Sequence, residues 1–178
     1  MTNRAVFLDR DGVILEDTGY PTRIETVVFV DGIGEALSLL SQAGYRLIVI
    51  TNQSAIARGM ISLEGFFELS DAINRKLAQQ RAPLDAVYFC PHHPSEGASP
   101  WRTVCNCRKP APGLILRAIS EWGLEAGNCW MVGDSPRDLD AAQSAGVRPL
   151  AFRFDHPSAP RFNSLLELAR HIIESDAR

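Results

Sequence analysis

The sequence predicts an α/β fold: a three-layer sandwich in which a mainly parallel sheet is covered by helices on both faces. Three observations predict it. Short apolar runs of strand length, such as Ala5-Val6-Phe7-Leu8 and Leu47-Ile48-Val49-Ile50, alternate with stretches of helical periodicity, the pattern of strand, helix and parallel strand. The runs are apolar throughout, as strands buried on both faces should be. Several of them end in a cluster of polar residues, and an open parallel sheet gathers such clusters along the edge where it holds ligands.

The elements follow in order. The first strand covers residues 5–8, and residues 10–31 form a long connection without clear periodicity, a length that often signals function. A helix is expected over 33–43, with Ala36, Leu37, Leu39, Leu40 and Ala43 inward and Gly44 as its stop. The second strand is 46–50. Ser62, with Gly65 and Phe66, opens a helix running to about residue 80 and followed by a strand at 86–89. A helix at 113–122, a strand at 129–132, a helix at 137–145, a strand at 148–151 and a last helix at 164–173 complete the pattern. With no internal repeat, low-complexity tract or linker, a single domain over 1–178 is expected.

Composition narrows the function classes. A chain of 178 residues with 46% apolar content can bury one sizeable core. A net charge of −3 and the lack of any long basic run argue against nucleic acid as the main partner and favour a small substrate. No apolar stretch approaches the roughly 20 residues that span a bilayer, and the first residues lack the sections of a signal peptide, so no membrane association and a cytoplasmic location are expected. A monomer is expected because no long amphipathic stripe is left over.

Chemistry is concentrated at the carboxyl ends of the predicted strands. Asp9-Arg10-Asp11-Gly12 follows the first run, and in an extended segment residues i and i+2 project to the same side, so Asp9 and Asp11 can converge on one cation and one substrate atom. An ordinary polar turn would use the same residues. Three later segments favour the chemical reading. Thr51-Asn52-Gln53-Ser54 offers hydroxyls and amides for phosphate oxygens, Arg108-Lys109 supplies cations, and Gly133-Asp134-Ser135-Pro136-Arg137-Asp138 supplies a second acidic cluster.

The cysteines form a separate pattern, Cys90-x-His92-x12-Cys105-x-Cys107, on the connection that leaves the third strand. A disulfide is disfavoured in a chain without secretion signals, because the cytosol keeps thiols reduced. Two ligand pairs separated by a loop at about 90–107 can wrap a tetrahedral Zn2+, and four protein ligands close the site to water, so its role is structural. Spacing leaves His93 open as an alternative to His92. Cys129 opens an apolar strand and reads as a small core residue.

Taken together, DRDGVI, TNQSAIARG, CPHHP, CNCRKP and VGDSPRD resemble the haloacid dehalogenase superfamily of aspartate-nucleophile phosphatases, whose four motifs occur in this order. Within it they resemble the heptose 1,7-bisphosphate 7-phosphatase group, close relatives of the histidinol phosphatases. The resemblance implies a Rossmann-like core with a minimal cap, since no gap holds a large inserted domain. It implies that Asp9 is the nucleophile, that Asp11 is acid and then base, and that Asp9, the Asp11 carbonyl and Asp134 hold Mg2+. Thr51 and Lys109 would hold phosphoryl oxygens, Arg108 would recognise substrate, and His92 would be the zinc-binding histidine. Asn52, Gln53 and Ser54 join the phosphate and substrate ligands, and Asp17, Thr18, Gly19 and Tyr20 match the substrate-facing part of the first loop, with a plain turn as the alternative. Asp138 would orient Lys109 or the outer sphere of the metal, or else match the dipole of its helix. Arg58 reads as a surface arginine or a substrate contact. The chain departs from the group at Leu15, Ala55, Ser135 and Phe152-Arg153-Phe154-Asp155. The substrate expected is a small phosphate ester, a heptose bisphosphate first, with histidinol phosphate, or a zinc-binding module without catalysis, as alternatives.

Overall fold

The structure is a computed structural model and describes residues 3–177. In chain order its elements are β1 (Ala5–Leu8), α1 (Ile33–Gln42), β2 (Arg46–Asn52), α2 (Ser54–Ala57), α3 (Leu63–Gln79), β3 (Ala86–Cys90), α4 (Gly113–Trp122), β4 (Trp130–Gly133), α5 (Pro136–Ser144), β5 (Arg148–Phe152), β6 (Arg161–Phe162) and α6 (Leu165–Asp176). The six strands form one sheet in the order β3-β2-β1-β4-β5-β6, and every pairing is parallel. This is a doubly wound Rossmann-like sheet, whose order reverses between β1 and β4.

Strand side chains alternate between two cores because successive residues face opposite sides. Val6, Leu8, Leu47, Val49, Trp130 and Val132 pack beneath α1, α3 and α6. Ala5, Phe7, Ile48, Ile50 and Met131 pack beneath α4 and α5. The runs are therefore apolar at every position, as both faces require. Burying each large side chain contributes about 1.5–3 kcal/mol.

Where the elements differ from expectation, backbone hydrogen bonding is the reason. β2 continues through Thr51 and Asn52 because these pair with Phe89 and Cys90, and β4 includes Gly133, paired with Ala151. The ladder needs only main-chain groups, so it carries polar residues beyond the apolar run. β6 was not expected: it is a two-residue edge strand in a stretch rich in Pro and charge, held by bonds such as Arg153 N–H to Phe162 C=O. The four-residue α2 was also not expected. Between β1 and α1 lie one short 3-10 turn, Ile24–Thr26, and isolated bridges at Leu15 to Asp11 and Phe29. No large cap is inserted there among the described residues.

Candidate active site

β1, β2 and β4 end at the same edge of the sheet, so the polar clusters that follow them meet at the order reversal. Asp9 is 4% exposed and leaves β1. Its Oδ1 accepts from the Arg10 main-chain N–H at 2.7 Å and lies 2.9 Å from Lys109 Nζ. Among the described residues Oδ2 accepts no hydrogen bond, which leaves it as the oxygen free to react. Lys109 is 2% exposed. Its ammonium also lies 2.7 Å from Asp138 Oδ1 and donates to the Ile50 carbonyl at 2.7 Å, so it is held between two carboxylates.

Two glycines make this approach possible. A Cβ on Gly12, whose φ is +85°, would sit 1.9 Å from Asp134 Oδ2, and one on Gly133 would sit 2.2 Å from Asp138 Cβ. Any side chain at either position would displace a carboxylate. Asp138 also holds the start of α5, since its Oδ2 accepts from Ser135 N–H at 3.1 Å and Ser135 Oγ–H at 2.6 Å. Both expectations for Asp138 thus meet in one residue: it orients Lys109 and matches its helix.

Electrostatics shows what the cluster lacks. One oxygen each from Asp9, Asp134 and Asp138 lie within 4.8 Å of one another. Burial pushes Asp9 up to about 7; Lys109 opposes this, and Asp138 adds to it. Burial, with Asp138 beside it, pushes Asp134 up to about 6. Burial alone would lower Lys109, but Asp9 and Asp138 outweigh it and hold the ammonium above its ordinary value. Among the described residues Asp134 Oδ1 is buried without a hydrogen-bond partner. Crowded carboxylates with an orphaned oxygen fit a hard divalent cation such as Mg2+.

Asp11 stands at the rim, and both its oxygens are occupied by Arg10 and Gln53. Thr51 is buried, and its hydroxyl accepts from Gln53 Nε2 at 2.7 Å. Asn52 turns away from the mouth. Its amide donates to the Lys109 carbonyl at 3.1 Å and accepts from the Lys109 N–H at 3.0 Å, clasping the main chain of the lysine. Ser54 is buried at the start of α2. Asp17, Thr18, Gly19 and Tyr20 are exposed; Asp17 Oδ1 accepts from Gly19 N–H at 3.2 Å, forming a turn. Arg58 lies 5.6 Å over the Tyr20 ring and pairs with Glu96, so it joins the first loop to the cysteine loop. Sequence reasoning assigned nothing to Arg10, although it stands inside the first motif.

The soft cluster lies alongside. Cys90 Sγ is 3.6 Å from Cys105 Sγ and 3.2 Å from Cys107 Sγ, which is 3.3 Å from Cys105 Sγ. His92 Nδ1 is 3.6 Å from Cys90 Sγ and 3.3 Å from Cys107 Sγ. A tetrahedral zinc with Zn–S of about 2.3 Å implies sulfur–sulfur edges of roughly 3.7 Å, close to this arrangement. Burial raises the Cys90 and Cys107 thiols; Cys105 is also raised by burial, but hydrogen bonds from the other two thiols bring it below its ordinary value. His93 instead accepts from Ser95 and Glu96 N–H groups, and Cys129 is in the core. The loop is tied to the catalytic edge by Gln53 N–H to the Cys90 carbonyl at 2.7 Å and Arg108 Nη1 to the His92 carbonyl at 3.2 Å. A cleft of about 900 Å³ runs along edge strand β3 and is lined by neither Asp9 nor Lys109.

A family model described as haloacid dehalogenase-like hydrolase matches residues 19–146. The chain belongs to the haloacid dehalogenase-like hydrolases. This hydrolase is 47% identical over 147 residues to the D-glycero-alpha-D-manno-heptose-1,7-bisphosphate 7-phosphatase of Burkholderia mallei, covering 83% of the chain and 78% of the relative. It is 44% identical over 146 residues to the D-glycero-beta-D-manno-heptose-1,7-bisphosphate 7-phosphatase of Haemophilus influenzae, covering 82% and 79%. Among solved structures it resembles D,D-heptose 1,7-bisphosphate phosphatase from B. bronchiseptica, which was crystallised with magnesium and phosphate. The TM-score is 0.84 at 28% identity, covering 97% of this chain and 99% of that one. That coverage extends the likeness to nearly the whole hydrolase. No helix among the described residues is long and apolar enough to cross a membrane.

Proposed function

We propose that the chain hydrolyses D-glycero-D-manno-heptose 1,7-bisphosphate at the 7-phosphate through an aspartyl-phosphate intermediate. The observation that carries the reading is the state of Asp9. Its Oδ1 is pinned by Arg10 N–H and Lys109 Nζ, which leaves Oδ2 to approach phosphorus. The relatives named above carry the choice of substrate.

Asp9 Oδ2 forms a bond to phosphorus as the bond to the sugar oxygen breaks, and Asp11 gives that oxygen its proton. In the second step water attacks phosphorus, Asp11 takes its proton, and Asp9 is released. Thr51 and Lys109 hold the phosphoryl oxygens against the charge that develops on them. Asp9, Asp134 and the Asp11 carbonyl would hold Mg2+, which when bound offsets the repulsion between Asp9 and a phosphate dianion. Cys90, His92, Cys105 and Cys107 would hold a structural Zn2+ that fixes the loop carrying Arg108 and Lys109. Arg108 meets the second anionic group of the bisphosphate, and the exposed loop from Asp17 to Tyr20 faces the rest of the sugar.

Initial rates with both anomers of the heptose bisphosphate, with histidinol phosphate and with nucleotides test this, with 31P NMR reporting which phosphate leaves. A higher kcat/KM for a heptose bisphosphate, with loss of the 7-phosphate, is expected, and Arg108→Ala should narrow that preference more than it slows a small aryl phosphate. Higher efficiency on histidinol phosphate would overturn the heptose assignment.

A further inference from the structure

Resting on the phosphatase reading above, we infer that Arg10, the residue between the two catalytic carboxylates, is a positioning residue that acts through Asp11. Arg10 is 5% exposed, and its guanidinium lies 5.9 Å from the centre of the Phe66 ring. Two of its guanidinium nitrogens are committed to one carboxylate, which turns the side chain to the support of that residue. A cation removed from water this far is strongly disfavoured unless it is paired. Its partner is Asp11, held by both prongs: Nε to Oδ1 and Nη2 to Oδ2, each at 3.0 Å. Parallel bonds of this kind fix the plane of a carboxylate as well as its distance.

Asp11 itself remains 26% exposed on its side chain, against 6% for Arg10. The pair thus presents one carboxylate to the mouth from a sealed support. Gln53 adds a third donor, Nε2 to Asp11 Oδ2 at 2.9 Å, and ties that oxygen to Thr51 Oγ1 through its second bond. The backbone of Arg10 braces the same loop. Its N–H donates to Asp9 Oδ1, and its carbonyl accepts from both Ile14 and Leu15 N–H at 2.9 Å. One residue therefore sets the nucleophile through its main chain and the acid through its side chain. A lysine would keep the charge but not the fork.

The test uses the full chain with Arg10→Lys and Arg10→Met, which keep a long stem against Phe66, and Gln53→Met, which removes the third donor with little change in volume. The readout is kcat/KM for an alkyl phosphate, whose leaving oxygen needs a proton, against 4-nitrophenyl phosphate, whose leaving group does not. Misplacing a catalytic group by about 1 Å can cost on the order of 100-fold. Arg10→Lys should therefore lower the alkyl rate about 10- to 100-fold while the aryl rate falls about threefold or less. Gln53→Met should show the same bias, more weakly, and it carries the test if the Arg10 variants do not fold. In an Asp11→Asn background, Arg10→Lys should change the alkyl rate by no more than about twofold, because groups that act as one unit are not additive. Equal losses on both esters, or full additivity with Asp11→Asn, would overturn the inference alone. An unaltered enzyme that hydrolyses neither ester would overturn the phosphatase reading and the inference with it.

Discussion

Two clusters within one loop length of each other hold metal-binding groups in opposite conditions. Cys90, His92, Cys105 and Cys107 come from one connection and already stand close to the corners of a tetrahedron. Asp9, Asp134 and Asp138 come from β1, the end of β4 and the start of α5, and the one ammonium of Lys109 does not offset their burial and crowding: Asp9 is pushed up to about 7 and Asp134 to about 6. Four soft donors with no open position suit a cation that stays and supports shape. Hard oxygens with one orphaned atom suit a cation that comes and goes and meets substrate. The difference shows where the fold spends stability. The first cluster is a closed brace and the second is a site held under electrostatic strain, joined by the Asn52 clasp on Lys109 and by Arg108 on the His92 carbonyl.

The largest expected effect breaks the strained side. Asp9→Asn should lower turnover by on the order of 10⁴-fold or more, as loss of a nucleophile does, while circular dichroism and zinc content stay unchanged, because the amide keeps the shape. Turnover near the original level would refute the covalent role.

Breaking the closed side should act first on the fold. Dialysis against a mild chelator is expected to remove magnesium reversibly and leave about one zinc per chain, as four protein ligands without an open position imply. Cys105→Ser should lose that zinc and lower the melting temperature, with activity falling because the loop bearing Lys109 loosens. Elemental analysis and thermal unfolding measure both. Unchanged zinc and stability in this variant would remove the structural role.

The smallest effect sharpens the comparison through pH. In metal-free protein the raised carboxylates bind protons more tightly when folded than their ordinary value of 3.8 allows when unfolded. Their contribution is therefore fully present below about pH 4 and is lost as pH rises through 6 and 7. The melting temperature without Mg2+ should fall between pH 5 and 7.5, by about 2–4 °C for each kcal/mol lost. Added Mg2+ should raise it more at pH 7.5, where protons no longer compete. A Mg2+ effect that is the same at both pH values would contradict the strained-site account.

How much of this was legible in the sequence follows from what each residue uses to act. Asp9 and Asp134 meet because each follows a strand end, and strand ends are marked by apolar runs, whereas Lys109 comes late on the loop that leaves β3 and was read from its motif. The three cysteines of the soft cluster could be read from spacing because their donors lie close along the chain, while the choice of His92 over His93 came from the resemblance. The clasp of Asn52 on Lys109 was not legible: a side chain that bonds a distant main chain leaves no periodic trace, and an amide beside a phosphate site reads as a phosphate ligand. Arg10 escaped for a related reason, since neither spacing nor composition tells which way a side chain turns at the end of a strand. The fold followed the same division. Long periodic elements were readable, whereas α2 and β6, at four and two residues, carry too little pattern and depend on hydrogen bonds to partners elsewhere.

The central claim is that Asp9 takes the phosphoryl group before water does. The direct measurement is the stereochemical course at phosphorus, with a substrate ester whose phosphate is chiral through its three oxygen isotopes and the product transferred to an acceptor alcohol in place of water. Two in-line displacements, first by Asp9 and then by the acceptor, give net retention, which is the result predicted. Net inversion would mean a single direct displacement and would contradict the account.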